Sequence, residues 1–312
     1  MIYYLILNYG GMMKKVWGFS AMLTATLLWG FAFSAQSSGM DYVGPVVFNT
    51  MRSIIAFLAL LVLVVVVDLC RDKRLSLWGD AVDVPAKKNL LYGGLWCGIA
   101  LGIASNLQQI GLKFTTVGKT GFLTALYIII VPLLGIFFKR RTTLSLWIAV
   151  GLALGGTYLL CSGIGNIGKG ELLVIAASFF YSLHILCIDH YISKCDCIRL
   201  SCVQFAVASV VSTLLTFCAG ELWQWGNIMK AMLFLFFCGA GSGAGAFTLQ
   251  MVSQKYLHPV TASLVMSLES VFAVLGGWIF LNQTLNLHES LGCITIFAAV
   301  VLTQVPLVPA KK

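Results

Sequence analysis

Apolar residues come in long blocks along this chain, separated by short polar segments. The blocks at 16–36, 45–69, 90–111, 117–138, 143–162, 170–190, 199–219, 228–250, 258–281 and 286–308 are almost free of charge. Each holds about twenty residues, the length a helix needs to cross a hydrocarbon core. The dividers carry turn chemistry: Gly39 with Asp41, Pro85 near Lys87, Gly163 to Gly168, Gly220 to Gly226, and His258-Pro259. The pattern predicts an all-α membrane protein of ten transmembrane helices.

Composition strengthens that reading. Of 312 residues, 59% are hydrophobic and 10% are charged, against about 25% charged in soluble domains. The formal charge of +9 does not point to nucleic acid, because the cations lie between apolar blocks rather than on one face. They read as an orientation signal instead. Lys14-Lys15, Arg71 with Lys73 and Arg74, Lys87-Lys88, Lys139-Arg140-Arg141, Lys194, Arg199, Lys255 and Lys311-Lys312 fall on one side; Lys113, Lys119, Lys169 and Lys230 fall on the other. The first side is therefore expected to be cytoplasmic, with both termini there and the protein multi-pass in the cell (plasma) membrane. Arg52 is left within a span.

The ten cysteines show no metal or disulfide spacing, and Cys195-Asp196-Cys197 is their single close pair. The opening MIYYLILNYGGMMKK is too short for a span and lacks a cleavage site. Residues 1–15 are taken as an N-terminal extension, with Met12 or Met13 as alternative starts.

GAGSGAGAF at 239–247 fits the dinucleotide spacing G-x-G-x-x-A. A nucleotide site needs a polar loop and a helix N-terminus at water, and this run lies inside an apolar block. Gly239 with Gly243, and Gly241 with Gly245, are instead small-xxx-small pairs that let helices approach closely.

The chain repeats itself. At an offset of 142, Gln108 meets Gln250, Lys113 meets Lys255, Leu126 meets Leu268, Gly135 meets Gly277, Phe138 meets Phe280 and Thr142 meets Thr284. At an offset of 152, Gly18 meets Gly170, Trp29 meets Tyr181 and Arg52 meets Gln204. Five spans (16–162) match five (170–308), joined by a loop at 163–169 and followed by a tail at 309–312. An odd number of spans per repeat makes the second copy enter the membrane from the opposite side. Such inverted repeats are the architecture of many secondary transporters.

Several segments carry a family resemblance: LLWGFAF in the first span, Pro45, Phe48 and Arg52 in the second, TTVGKTGFLTALYIIIVPLLG around the fourth, and SLESVFAVLGGWIFLNQTL around the ninth. Here the chain resembles the drug/metabolite transporter superfamily, in its ten-helix EamA-type branch. The resemblance implies two inverted five-helix repeats and export or exchange of small metabolites, often amino acids, without ATP. Two positions depart from the family pattern. Ser270 stands where proline is common after the ninth-span glutamate, which bears on a kink at the central site. Asn282-Gln283 replaces a common Gly-Glu.

Ionisable residues within spans are costly and mark candidate functional positions. Glu269 lies near the middle of the ninth span, as a proton site, an anchor for a substrate amine, or a structural carboxylate satisfied by another helix. Its repeat mate is Tyr127. Arg52 can grip a substrate carboxylate in bidentate fashion, or hold helices together through an ion pair or backbone carbonyl contacts; its mate is the neutral Gln204. His184 in the sixth span can relay protons, accept a substrate hydrogen bond, or simply bond a backbone carbonyl. Trp29 and Tyr181 are repeat mates that either wall a cavity or pack. Gln108 and Gln250 read as interhelical hydrogen-bonding groups. Lys119 either snorkels outward or faces an anionic substrate. Pro132, Gly121 and Gly135 read as bending and close-packing positions.

These residues favour a secondary transporter of small organic metabolites, most of all amino acids or related compounds, with a cavity lined by Trp29, Arg52, Tyr127, Tyr181, His184 and Glu269. The alternative is an efflux carrier of drugs or quaternary amines. The near absence of buried cations argues against phosphorylated sugars, and the apolar spans argue against a pore. No H-E-x-x-H, G-x-S-x-G or paired acidic motif marks a membrane-embedded enzyme. No catalytic residue, metal or cofactor is expected. The partners are a small-molecule substrate and the lipid bilayer; proton coupling and a homodimer are both compatible with the sequence.

Overall fold

The computed structural model describes residues 2–71, 73, 75–79, 81, 83–137, 144–160 and 167–304. Among them there is no β-strand. The helices are α1 (Ile2–Gly39), α2 (Pro45–Arg71), α3 (Val84–Leu112), α4 (Val117–Thr124), α5 (Tyr127–Phe137), α6 (Leu144–Leu160), α7 (Lys169–Tyr191) and α8 (Cys197–Ala219). Next come α9 (Trp225–Lys230), α10 (Met232–Phe236), a π-helical segment (Phe237–Ala246), α11 (Phe247–Gln254), α12 (Pro259–Met266), α13 (Glu269–Leu281) and α14 (Leu287–Gln304). Most of the 163–169 loop and the 309–312 tail lie outside the described residues.

Each expected span has a helical counterpart, and three are broken. Span four is α4 and α5, span nine is α12 and α13, and span eight runs from α9 through the π segment to α11. Seven helical stretches are long and apolar enough to cross a membrane unaided, whereas Trp147–Gly156, Glu269–Leu281 and Leu287–Ala299 are shorter apolar helices. At the N-terminus, the backbone of α1 is already helical at Ile2. No proline interrupts this helix and Gly10-Gly11 does not end it, while the stretch long and apolar enough to cross a membrane is Met13–Gly39.

Helix ends are closed by their own residues. Asp83, Thr116 and Asp196 accept the amides of Ala86, Lys119 and Arg199 as N-caps of α3, α4 and α8. Gly220 (φ 66°) ends α8 in the left-handed region, and Asn282 (φ 53°) ends α13 in the same way. The Asn282-Gln283 departure is thus structurally accommodated. Asn tolerates the turn, and Gln283 Oε1 accepts the Val117 amide at the start of α4 at 3.2 Å.

Packing follows the repeat. α7 lies on α3 and on α4–α5, as α1 lies on the span-eight helices and on α12–α13; α2 packs on α8, and α6 on α14, across the pseudo-two-fold axis. The equivalence reaches individual contacts. A Cβ on Gly170 would lie 2.9 Å from Gly111 O and from Phe114 Cβ; one on Gly18 would lie 3.1 Å from Tyr256 Cβ and 3.4 Å from Ser253 O. Ser253 and Tyr256 are the offset-142 mates of Gly111 and Phe114. Likewise a Cβ on Gly98 would sit 2.6 Å from Gln204 O, and one on Gly239 would sit 2.8 Å from Arg52 O. At Gly170, Gly98 and Gly239 a side chain would force the neighbouring backbone to shift, and at Gly18 it would be tight.

The glycine run therefore packs, though by one pair and not two. Gly239 and Gly243 face Ile55 and Ala56 of α2, while Gly241 and Gly245 have only atoms of their own segment within 4 Å. Gly239 and Gly243 thus turn one face of the π segment to α2, and Gly241 and Gly245 lie off that face.

Candidate functional site

The two breaks coincide under the repeat. Offset by 142, α4 starts and ends on α12, and Tyr127 at the start of α5 falls on Glu269 at the start of α13. Breaking both helices at mid-span brings both side chains to the centre of the bundle, where Tyr127 Oη donates to Glu269 Oε1 at 3.1 Å. No proline is needed for the second break. Ser270, which stands at the family's proline position, uses its amide and its hydroxyl on Ser267 O at 3.1 and 2.6 Å.

Beside this pair lies a partly open cavity of about 670 Å³, counting the open solvent at its mouth. All six residues singled out in the sequence line it: Trp29, Arg52, Tyr127, Tyr181, His184 and Glu269. Each is held from behind. Trp29 Nε1 donates to Ser242 O at 3.2 Å, a carbonyl of the π segment, and its ring packs edge-on against Phe247 at 4.9 Å. Tyr181 Oη donates to Gln108 Oε1 at 3.0 Å, and Gln108 Nε2 donates to Thr124 Oγ1 at 2.9 Å. In the other repeat, Gln250 Nε2 reaches Met266 Sδ at 3.7 Å, the equivalent contact. His184 Nε2 donates to Gln204 Oε1 at 2.9 Å, since that oxygen can only accept. His184 thus has a glutamine side chain, not a backbone carbonyl, as its partner.

The electrostatics are unusual for a membrane interior. Glu269 is 5% exposed, and among the described residues no cation pairs with it. Arg52 is partly exposed in the same cavity and no carboxylate pairs with it; its one hydrogen bond runs from Nε to Asn49 Oδ1 at 2.7 Å. The ion-pair alternative for Arg52 therefore finds no partner among the described residues. Two groups of opposite charge share one cavity without neutralising each other.

Other polar residues lie elsewhere. Lys119 sits 3.8 Å from Glu289, away from the cavity. Gly121 faces α13, where its Cβ would meet that of Ala273 at 2.8 Å. Arg199, counted among the divider cations, is 8% exposed and pairs with Asp68 at 2.5 Å while donating to Ser76 O at 3.0 Å. That clasp joins the end of α2 to the start of α8. At the other end of the same helix pair, Glu221 accepts the Val46 and Val47 amides at 3.3 and 2.8 Å.

Sequence reasoning missed Asn49, Ser53, Ser105, Ser242 and Phe247 in the cavity wall. For Asn49 and Ser53 a signal was present, because with Arg52 they form one polar stripe on an otherwise apolar helix.

The lining is uneven along the bundle. From the first repeat it draws Phe33 and Gln36 late in α1, Asn49 to Ser53 early in α2 and Leu101 to Gln108 late in α3. These positions extend the cavity toward the end opposite the start of α1, while Phe205 early in α8 and Phe247 and Gln250 of α11 line its other side. At the termini end, Met22, Ala25, Ile185, Leu257 and Val260 pack into the central apolar cluster.

Comparison with known proteins agrees with this architecture. The model of the EamA-like transporter family matches twice, at residues 16–162 and 168–305. An uncharacterized transporter of Archaeoglobus fulgidus is 26% identical over 93% of this chain and 87% of its own length. The uncharacterized transporter YoaV of Bacillus subtilis is 21% identical over 88% and 92%. One crystal structure superposes with a TM-score of 0.67 at 16% identity, covering 92% of this chain and 96% of its own, which supports the fold. With two matched units spanning nearly its whole length, ten spans and a central polar cavity, the chain belongs to the EamA-like transporter family and is a multi-pass membrane transporter.

Proposed function

We propose that this transporter carries small zwitterionic metabolites, amino acids or close relatives, by alternating access around the central cavity. One observation carries the reading: Arg52 and Glu269 face the same cavity, and among the described residues neither has a counter-ion. An α-amino acid supplies both, its carboxylate to Arg52 and its ammonium to Glu269. Trp29, Phe205 and Phe247 give the side chain an apolar wall. A purely cationic drug or quaternary amine would leave Arg52 unpaired, and a sugar phosphate would meet Glu269 as a like charge.

The cation bias of the dividers supports a plasma-membrane orientation with both termini cytoplasmic. In that orientation a cavity extended away from the start of α1 belongs to an outward-facing state. Glu269, tied to the membrane centre by one tyrosine hydroxyl, is the group on which proton coupling would rest.

Counterflow in liposomes tests this. The purified protein is given a panel of amino acids, quaternary amines, nucleosides and sugar phosphates, with Glu269→Gln in parallel. Saturable exchange of amino acids, lost in the variant, is the expected result. Exchange confined to another class of solute would refute it.

A further inference from the structure

Asn49 is fully buried, and its amide is oriented by necessity. Arg52 Nε can only donate, so the atom facing it must be Oδ1, at 2.7 Å. Asn49 Nδ2 is thereby turned to two hydroxyls on different helices, Ser105 Oγ of α3 at 3.2 Å and Ser212 Oγ of α8 at 3.1 Å. Ser212 is held in turn by Asn106 Nδ2 at 2.8 Å, and Asn106 Nδ2 also donates to Gly102 O at 2.7 Å. Thr50 and Thr216 meet at 2.8 Å one turn along the same α2–α8 contact. A polar spine therefore crosses three helices and ends on one edge of the Arg52 guanidinium.

The spine engages Nε alone. No other hydrogen bond holds the guanidinium among the described residues, which leaves the donors on its two terminal nitrogens for the cavity. Fixing one edge of a planar fork while leaving the other free pre-organises it for a two-oxygen acceptor. A neutral amide does this without cancelling the charge, which a carboxylate at the same place would do. The first repeat has this device; the second has Gln204 where Arg52 would be, turned to His184.

We infer that Asn49 is a positioning residue that sets the transporter's selectivity for a carboxylate-bearing substrate, acting through Arg52. The inference rests on the amino-acid reading of the cavity.

The test is equilibrium binding to the full-length protein in lipid nanodiscs, with empty nanodiscs as control. Phenylalanine and phenethylamine serve as probes, since they differ only by the carboxylate. Wild type is expected to favour phenylalanine. In Asn49→Asp the introduced carboxylate pairs with Arg52, and the phenylalanine-to-phenethylamine affinity ratio should fall about tenfold or more. A purely structural role would weaken both probes alike and leave the ratio unchanged, which would overturn the inference. Should Asn49→Asp not fold, the Ser105→Ala/Ser212→Ala double variant frees the Asn49 amide while keeping the residue. Its ratio should move in the same direction, and an unchanged ratio again overturns the inference. Wild type that shows no preference for phenylalanine would fail differently: it would reject the amino-acid reading itself.

Discussion

Tyr127 and Glu269 occupy the same position in the two repeats, and the hydroxyl of one donates to the carboxylate of the other at 3.1 Å. The axis relating the halves therefore passes through a pair of unlike partners. An exchange of conformations between the halves must carry this bond through the centre of the molecule, or break it there.

Tyr127→Phe and Glu269→Gln should consequently differ in degree. Removing the hydroxyl leaves a buried carboxylate short of one hydrogen bond, worth about 1.5–3 kcal/mol for a charged acceptor, so exchange should slow by about tenfold or more. Glu269→Gln also removes the charge for the substrate amine and should abolish exchange. Equal rates in both variants, measured as initial counterflow, would contradict the assigned roles.

Trp29 has two functions that substitution can separate. Trp29→Phe keeps an aromatic face against Phe247 but loses the bond to Ser242 O; Trp29→Ala loses both. KM for amino acids should rise modestly in the first and about tenfold or more in the second, given about 0.5–1.5 kcal/mol for an aromatic pair beyond its buried area. An Ala variant with unchanged KM would remove Trp29 from the cavity wall in any functional sense.

The Asp68–Arg199 clasp is a matter of stability. Both side chains are nearly buried, 3% and 9% exposed, and stranding one charge of such a pair costs about 3–5 kcal/mol. Arg199→Ala should lower the melting temperature of the detergent-solubilised protein strongly. Asp68→Asn should lower it less, since the amide oxygen still accepts from the guanidinium, although the amide NH2 can no longer accept from the Ser76 N–H. An Asp68→Asn variant with an unchanged melting temperature would show that Asp196, 3.6 Å from Arg199, is the principal partner.

Glycines separate into two kinds. At Gly98 a methyl group would stand 2.5 Å from Val207 Cβ and 2.6 Å from Gln204 O, whereas Gly155 has nothing within 4 Å. Gly98→Ala should part α3 from α8 and reduce the yield of folded protein. Gly155→Ala should leave folding intact and raise stability by about 0.5–1 kcal/mol. Size-exclusion profiles of the two variants check both expectations.

Much of this was legible in the chain. Ten spans could be read because hydrocarbon tolerates only long apolar runs. Tyr127 and Glu269 could be paired because the offset survives in Gln108/Gln250 and Leu126/Leu268. The helix breaks at 125–126 and 267–268 could not be read, since neither contains glycine or proline; tertiary packing makes them. Ser105 and Ser242 were invisible for a different reason. Small polar residues in apolar spans usually bond their own helix, and nothing local separates those that face a cavity. The π winding hid itself likewise, because its glycines spell an ordinary α-helical packing motif.

The mismatch of Arg52 with Gln204 reaches beyond substrate choice. Inverted repeats are interchangeable in shape, so rocking sends each residue toward the surroundings its mate has left. Gln204 is wholly buried against His184, a place that would cost a guanidinium its solvation. On the alternating-access reading proposed above, the empty carrier is not balanced between its two orientations and rests with Arg52 in the open cavity. A substrate that neutralises Arg52 removes the penalty for turning, which makes the loaded carrier the mobile one and favours exchange over leak.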